Sequence, residues 1–180
     1  MDLEKESESF VEDAARYKLA VVIGLAFSLA GDVFLMLPGD LFLPGLLSFL
    51  LAHIAYLVAF TSDVPFGRRP LAFLVWFAIA VPMLLLQWPG VPVSLRIPVV
   101  FYTLFILAMA GQAASRALTL RVPGAWTAAI GAALFVLSDT MLGLDRFRPG
   151  VNLWPVLVLG TYYAAQWLIA LSTRASRAVA

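Results

Sequence analysis

The chain has 180 residues, of which 62% are hydrophobic and 13% are charged, and its formal net charge is +1. A typical soluble domain carries about 25% charged residues, and the mean hydropathy of this chain is +0.94. This composition excludes a soluble globular protein, and the near-neutral charge gives no indication of a nucleic-acid partner.

The metal-binding and nucleophilic residue types are scarce. The chain has no Cys and one His, which excludes disulfides, thiolate metal sites and a Cys nucleophile. A single His also argues against a zinc site with several nitrogen ligands. We therefore expect no metal and no cofactor.

Residues 1–18 hold six of the eleven acidic residues. A signal peptide opens with a basic stretch, so this segment does not resemble one. We predict an acidic, solvated N-terminal tail over residues 1–18, with a short interfacial helix from Phe10 to Tyr17.

Six apolar runs follow, each close to the ~20 residues that cross a bilayer as a helix. Runs this long and uniform are typical of helices, in which every backbone polar group is satisfied within the segment. They predict an all-α, polytopic transmembrane bundle that forms one domain over residues 19–173, followed by a short C-terminal tail, residues 174–180. The predicted spans are 19–37, 42–61, 71–88, 97–118, 124–144 and 152–173.

Basic residues divide unequally between the two sides of this topology, and we place none inside a span. One side holds Lys5, Arg16, Lys18, Arg68, Arg69, Arg116, Arg121, Arg174 and Arg177; the other holds Arg96, Arg146 and Arg148. Because cytoplasmic loops carry the excess of Lys and Arg, we predict a multi-pass protein of the cell (inner) membrane with both termini in the cytoplasm.

Only two acidic residues fall within the predicted spans, Asp32 and Asp139. Placing a charged residue inside a membrane costs at least ~2.5 kcal/mol on insertion scales, so such a residue is a candidate functional residue. Counted along their helices, the two carboxylates lie at similar depth toward the outer face. The alternative is that each is a lone hydrogen-bonding residue between helices.

Further polar residues could complete a pocket around the two carboxylates. His53 and Tyr56 share one face of the second helix, since they lie three residues apart. A Tyr of the last helix shares a face with Gln166 in the same way, and Ser28 precedes Asp32 by one turn. Such residues also serve as packing contacts between membrane helices. The candidates for substrate binding are His53, Tyr56, Tyr162, Tyr163, Gln166, Ser28 and, for a phosphate at the membrane surface, Arg146.

Two carboxylates in one low-dielectric pocket cannot both ionise cheaply. A protonated carboxyl beside an ionised one can serve as a general acid and a general base. A lipid vinyl ether suits this chemistry, because protonation of its β-carbon gives an oxocarbenium ion like that of glycoside hydrolysis. Water then attacks, and the hemiacetal collapses to an aldehyde and an alcohol.

Three motifs of the chain resemble one known family. They are GLAFSLAGDVFLMLPGDLFLPGLLSFLLAHIAYLVAF at Gly24–Phe60, GAALFVLSDTMLGLDRF at Gly131–Phe147 and YYAAQWLIA at Tyr162–Ala170. In this order and spacing they resemble the YhhN-type lysoplasmalogenase family. The resemblance implies a membrane hydrolase that cleaves the vinyl ether bond of lysoplasmalogens, with lysophospholipid and membrane lipid as its partners.

The resemblance also implies roles for individual residues. The two acidic positions of the family match Asp32 and Asp139, and its His and Tyr match His53 and Tyr56. Its final-helix Tyr and Gln match Tyr162 or Tyr163 and Gln166. Family members usually have eight helices, with a Lys-Pro motif opening the second, whereas this sequence predicts six helices and has no Lys-Pro.

Two other classes of function fit the same residues. A transporter could use the carboxylates as proton or cation sites. A non-catalytic lipid-binding membrane protein could retain the polar residues only for packing. Aldehyde release from a lysoplasmalogen would distinguish the enzyme from both.

Overall fold

A computed structural model of the chain describes residues 2–151 and 155–175. Six α-helices account for most of these residues, with two short 3-10 turns, Trp88–Gly90 and Val93–Leu95, between the third and fourth. We number the helices α1 to α6 in chain order. They are α1 Asp2–Met36, α2 Phe42–Phe60, α3 Pro70–Gln87, α4 Arg96–Leu120, α5 Pro123–Phe147 and α6 Pro155–Ala175.

The helices end where the sequence carries helix breakers. Pro38 and Gly39 follow α1, and Gly39 has a φ of 109°, which favours glycine. Pro70 and Pro123 occupy the first helical turn of α3 and α5, where the missing N–H costs nothing. Arg121 ends α4 in the left-handed conformation at φ 56°, which turns the chain directly into α5.

Helix α1 includes residues 2–18 of the predicted N-terminal tail and contains the predicted short helix from Phe10 to Tyr17. Helix α1 runs without a break from Asp2 to Met36, so the acidic residues continue the first transmembrane helix. Its apolar part begins near Val11, and a helix can continue through a charged segment once a long apolar segment has nucleated it. The predicted start of the last span at 152 and the tail beyond residue 175 lie outside the described residues.

Two helix pairs form the framework of the bundle. Helices α1 and α2 pack along their length, as do α5 and α6, and α4 lies between α2 and α5. The first pair approaches closely because α1 presents glycines to aromatic rings. A Cβ at Gly24 would lie 2.3 Å from the Tyr56 ring, and one at Gly31 would lie 2.7 Å from the Phe49 ring.

Loops gather at the two ends of the bundle, which we call the Asp40 end and the Asp63 end after a residue in each. The α1–α2, α3–α4 and α5–α6 connections lie at the Asp40 end, and the other two lie at the Asp63 end. At the Asp63 end the Gln112 amide donates to the carbonyl oxygens of Phe60 and Val64, at 3.0 and 2.9 Å. The first bond satisfies a carbonyl that the end of α2 leaves free, and the second holds the α2–α3 loop against α4.

The expectation that no Lys or Arg lies inside a span is wrong, because Arg116 falls within the predicted span 97–118. Arg116 lies within α4 and is 4% exposed. Its guanidinium donates to both carboxylate oxygens of Asp63, at 2.6 to 3.0 Å, and lies 4.6 Å from the centre of the Tyr17 ring. An arginine is stable there because its charge is paired and its fork matches the carboxylate.

All six helices are long and apolar enough to cross a membrane. Large hydrophobic side chains on their outer faces are exposed in the isolated chain, as expected for surfaces that face lipid. The predicted all-α, multi-pass membrane protein is confirmed.

Candidate active site

Asp32 is paired with a tyrosine from the far end of the sequence. The Tyr162 hydroxyl, on α6, donates to Asp32 Oδ2 at 2.8 Å. Asp32 lies one turn before the end of α1, roughly 6 Å along the helix axis from Met36. Because α1 and α6 contact each other, this bond joins the first and last helices of the described chain.

Asp139 forms a second pair of the same kind. The Tyr102 hydroxyl, on α4, donates to Asp139 Oδ2 on α5. His53 Nε2 lies 3.7 Å from the same oxygen, beyond direct hydrogen-bonding distance, and His53 is fully buried. The Asp139 side chain is only 13% exposed, so this carboxylate faces the protein interior.

Phe135 lies between the two Tyr–Asp pairs. Its ring meets His53 edge to face at 4.8 Å on one side and Tyr162 at 5.5 Å on the other. Phe49 also contacts Tyr162 edge to face, at 5.9 Å. Aromatic pairs in this geometry fix each other's orientation, so the two carboxylate sites share one rigid apolar wall.

Tyr56 and Gln166 extend the Asp32 side of the cluster. The Tyr56 hydroxyl donates to Gln166 Oε1 at 2.6 Å, and both residues are buried. Ser28 is also buried and lies beside Tyr56. The predicted polar pocket therefore brings together residues of α1, α2 and α6.

A cavity of about 90 Å³ opens onto Asp139, and we call it the α3 cavity because α3 forms one wall. Most of its lining is apolar, with Leu46, Met83, Leu84 and Ile106 among the residues. Its polar lining residues are Gln87, Tyr102, Thr103, Asp139 and Thr140. Among the residues that the structure describes, Asp32, His53, Tyr56 and Gln166 do not line it.

Two predicted substrate-binding residues lie away from this cluster. Tyr163 is 58% exposed on the outside of α6 and contacts the cluster only through the Tyr162 ring, at 5.1 Å. Arg146 binds the Asp40 carboxylate at 2.8 Å and lies 4.9 Å from the centre of the Phe42 ring. Arg146 thus ties the α1–α2 loop to α5 at the rim of the bundle.

Sequence reasoning missed Tyr102 and Gln87. Tyr102 lies within a span rather than at its interfacial end, where tyrosines are usually found. This unusual position is the one feature of the sequence that could have indicated Tyr102. Gln87 contacts Gly143 so closely that a Cβ there would lie 2.3 Å from its Oε1. Nothing in the sequence alone predicts that contact.

No group of three His, Asp or Glu residues within the described part of the chain could hold a metal ion. The polar groups that the described residues bring to the site are carboxyl, hydroxyl, imidazole and amide groups. Paired carboxylates with tyrosine donors can transfer protons and stabilise positive charge.

Comparison with known proteins gives this arrangement its context. The model of the YhhN family matches residues 8–173. The chain belongs to the YhhN family. It is 35% identical to human lysoplasmalogenase TMEM86A, over 87% of this chain and 66% of that protein. It is 33% identical to the lysoplasmalogenase of Mycobacterium tuberculosis, over 83% of this chain and 58% of that protein.

A second human relative, lysoplasmalogenase TMEM86B, is 33% identical over 82% of this chain and 60% of its own length. The YhhN chain described here thus spans between 58% and 66% of the length of these three relatives. No solved structure matches it significantly.

Proposed function

We propose that this chain hydrolyses the vinyl ether bond of lysoplasmalogens to a fatty aldehyde and a glycerophospho-alcohol. The observation that carries the proposal is Asp139, a carboxylate that lines a mainly apolar cavity between membrane helices. Membership of the YhhN family, in which three relatives bear the name lysoplasmalogenase, supports the choice of bond.

Asp139 would be the acid, because it is the candidate carboxylate that lines the cavity. In its protonated form it would give its proton to the β-carbon of the vinyl ether, which leaves an oxocarbenium ion. The Asp139 carboxylate would then stabilise that positive charge, and Tyr102 would hold the carboxylate in place. His53 would orient the same carboxylate from the side away from the cavity.

Asp32 would be the base, and the proton would reach it through the Tyr162 hydroxyl that donates to it. Water adds to the α-carbon and passes its proton toward Asp32, which gives a neutral hemiacetal. As the hemiacetal collapses, its hydroxyl returns a proton to Asp139 and the glycerol oxygen leaves with the proton from Asp32. One water is consumed, and both carboxyl groups return to their starting forms.

The orientation of the site in the membrane is also a proposal. The Lys and Arg count favours termini in the cytoplasm, so the Asp40 end would face outward. Arg146, near that end, would then bind the phosphate of a lysolipid headgroup whose chain lies in the bilayer. Ser28, Tyr56 and Gln166 would hold Tyr162 in position, and Tyr163 would face lipid.

The test is aldehyde release from lysoplasmenylethanolamine by the protein purified in detergent. We expect Asp139→Asn and Asp32→Asn each to lower kcat by about 10² or more, the usual contribution of a positioned acid or base. Glu12→Gln makes the same change on an exposed carboxylate of α1 and should leave the rate unaltered. No aldehyde from the wild type, or undiminished release by both Asn variants, would refute the proposal.

A further inference from the structure

Helix α3 is the least integrated helix of the bundle. Two of its 18 residues are buried, against nine of 19 in α2. It packs mainly on α4 and touches α5 at its far end. Over the described residues it makes no extended contact with α2, although both helices line the α3 cavity.

The two halves of α3 are attached differently. In the first half, the Phe73 ring packs on Gly111 of α4, where a Cβ would lie 2.5 Å away. The second half lines the cavity with Met83, Leu84 and Gln87. Pro82 separates the halves, and a proline inside a helix removes one backbone hydrogen bond and permits a bend.

The lining and the volume of the cavity indicate its occupant. Its lining includes Asp139 and Tyr102, and most of the remaining wall is apolar. Its volume of about 90 Å³ is below the ~150 Å³ of an engineered cavity that takes up benzene. It therefore holds only a short piece of a hydrocarbon chain, and the rest of a long chain must leave between helices.

We propose that the hydrocarbon chain of a single-chain ether lipid lies between α2 and α3, with its ether end at Asp139 and its remainder in the bilayer. This proposal takes from the proposed function only the identity of the cleaved bond, the ether bond of the lipid. The gap between α2 and α3 is the way in because those helices do not pack together. The second half of α3 moves about Pro82 to admit the chain.

A second groove offers a rival location. It lies between α1 and α6, has a volume of about 290 Å³ and is lined by Val22, Leu25 and Trp167 among others. None of the described residues that line it is a carboxylate. A chain bound there would place its ether bond away from Asp139, so the two grooves give different labelling patterns.

The first experiment maps the bound chain. A saturated alkyl-ether lysophospholipid with a diazirine in mid-chain is photolysed on the purified protein, and labelled peptides are identified by mass spectrometry. We expect label on Leu46, Met83 and Leu84, which decreases when unlabelled lysolipid competes. Label confined to α1 and α6, or none that competes, would overturn the proposal. The probe has no vinyl ether, so the result is independent of hydrolysis.

The second experiment blocks the gap. Leu46→Trp puts a bulky ring into the cavity wall, and Leu47→Trp puts the same ring on the lipid-facing side of the same helix. We expect Leu46→Trp to lower kcat/KM for aldehyde release by about tenfold or more through misplaced substrate, and Leu47→Trp to leave it unchanged. Equal effects would contradict the chain position.

A reversible cross-link tests the motion of α3. The chain has no Cys, so Leu46→Cys with Met83→Cys supplies the only thiols for a reducible bis-thiosulfonate linker. Linking α2 to α3 should abolish labelling by the diazirine lipid, and reductant should restore it. The pair Leu137→Cys and Leu157→Cys links α5 to α6, where Ser138 already bonds Val158, and should have no effect. Full labelling of the linked α2–α3 pair would refute the entry route.

Discussion

Each intramembrane carboxylate accepts a hydrogen bond from a tyrosine of another helix. Asp32 is held by Tyr162, and Asp139 is held by Tyr102. A carboxyl inside a membrane needs such a partner, because burying a polar group without a hydrogen bond costs several kcal/mol. The tyrosines also leave one oxygen of each carboxyl free for a second contact.

Replacing Tyr102 by Phe should slow the chemical step and leave substrate binding intact. The change removes the hydroxyl that orients Asp139 and keeps the ring, which packs on His53 at 5.0 Å. We expect kcat to fall by roughly 10- to 100-fold, the usual cost of losing an orienting contact, with little change in KM. Steady-state aldehyde release measures both constants.

The matched variant is Tyr163→Phe, which removes a hydroxyl from the exposed tyrosine of α6. We expect its kcat to stay within about twofold of wild type, since surface changes away from a site have small effects. Equal losses in the two variants would contradict the position given to Tyr102 at the site.

The sequence identified candidate residues better than it identified their partners. Asp32, His53, Tyr56 and Gln166 were predictable because ionisable and amide groups are rare in apolar spans. The pairing of Asp139 with Tyr102 was not, because it depends on α4 lying beside α5. Helical spacing relates residues within one helix and gives no information on which helices become neighbours.

Contact between α1 and α2 depends on glycines that sequence analysis treats as helix-weakening residues. Gly24→Val should force a side chain into the Tyr56 ring, which lies 2.3 Å from the position of a Cβ. We expect a loss of about 1 to 3 kcal/mol in the free energy of unfolding, as for overpacked cores. Thermal unfolding in detergent measures it, and displacement of Tyr56 should also lower activity.

Gly160→Ala is the control for that change. Gly160 lies in α6, and a Cβ there meets no atom within 4 Å. We expect an unchanged or slightly higher unfolding temperature, since Ala favours a helix over Gly by about 1 kcal/mol. A Gly24 variant as stable as the Gly160 variant would show that α1 and α2 do not pack as described.

Two arginine–aspartate pairs at opposite ends of the bundle should differ in their effect on stability. Arg116→Ala leaves Asp63 without its partner and breaks one of the contacts between the α2–α3 loop and α4. We expect a loss of about 2 kcal/mol, less than the 3 to 5 kcal/mol of a fully buried pair, because the Asp63 side chain is 30% exposed.

Arg146→Ala breaks the pair with Asp40, in which the side chains are 41% and 72% exposed. Exposed pairs contribute at most about 1 kcal/mol, so its unfolding temperature should stay close to that of wild type. If Arg146→Ala destabilised the protein more than Arg116→Ala, the burial assigned to the two ends would be wrong.

Within the described residues, helix boundaries were predictable to within three residues except at the start of α1, and that exception has a physical reason. Pro38-Gly39, Pro70 and Pro123 mark ends that the structure keeps. The start of α1 was not predictable from hydropathy, because the helix continues through a charged segment before its apolar part begins near Val11. Arg116 was counted with the loop charges although it falls within the predicted span 97–118. An ion pair with Asp63 and a contact with the Tyr17 ring hold it in α4.

At the scale of the whole molecule, the two ends of the bundle differ in the polar groups that they carry. The two carboxylate pairs lie toward the Asp40 end in α1 and near the middle of α5, whereas the buried Arg116–Asp63 pair lies at the opposite end. A lysolipid places its polar headgroup at one membrane surface and its chain in the core. The proposed reaction therefore depends on which end of the bundle faces the medium.

We predict that the Asp40 end faces outward. The chain has no native Cys, so one introduced Cys is the only target of a membrane-impermeant maleimide. Pro149→Cys, in the exposed α5–α6 loop, should be labelled in intact cells, and Arg68→Cys, in the exposed α2–α3 loop, only after lysis. The reverse pattern would invert the topology and place the active site near the cytoplasmic surface. Labelling of both in intact cells would contradict the odd number of spans that separates them, because α3, α4 and α5 lie between the two loops.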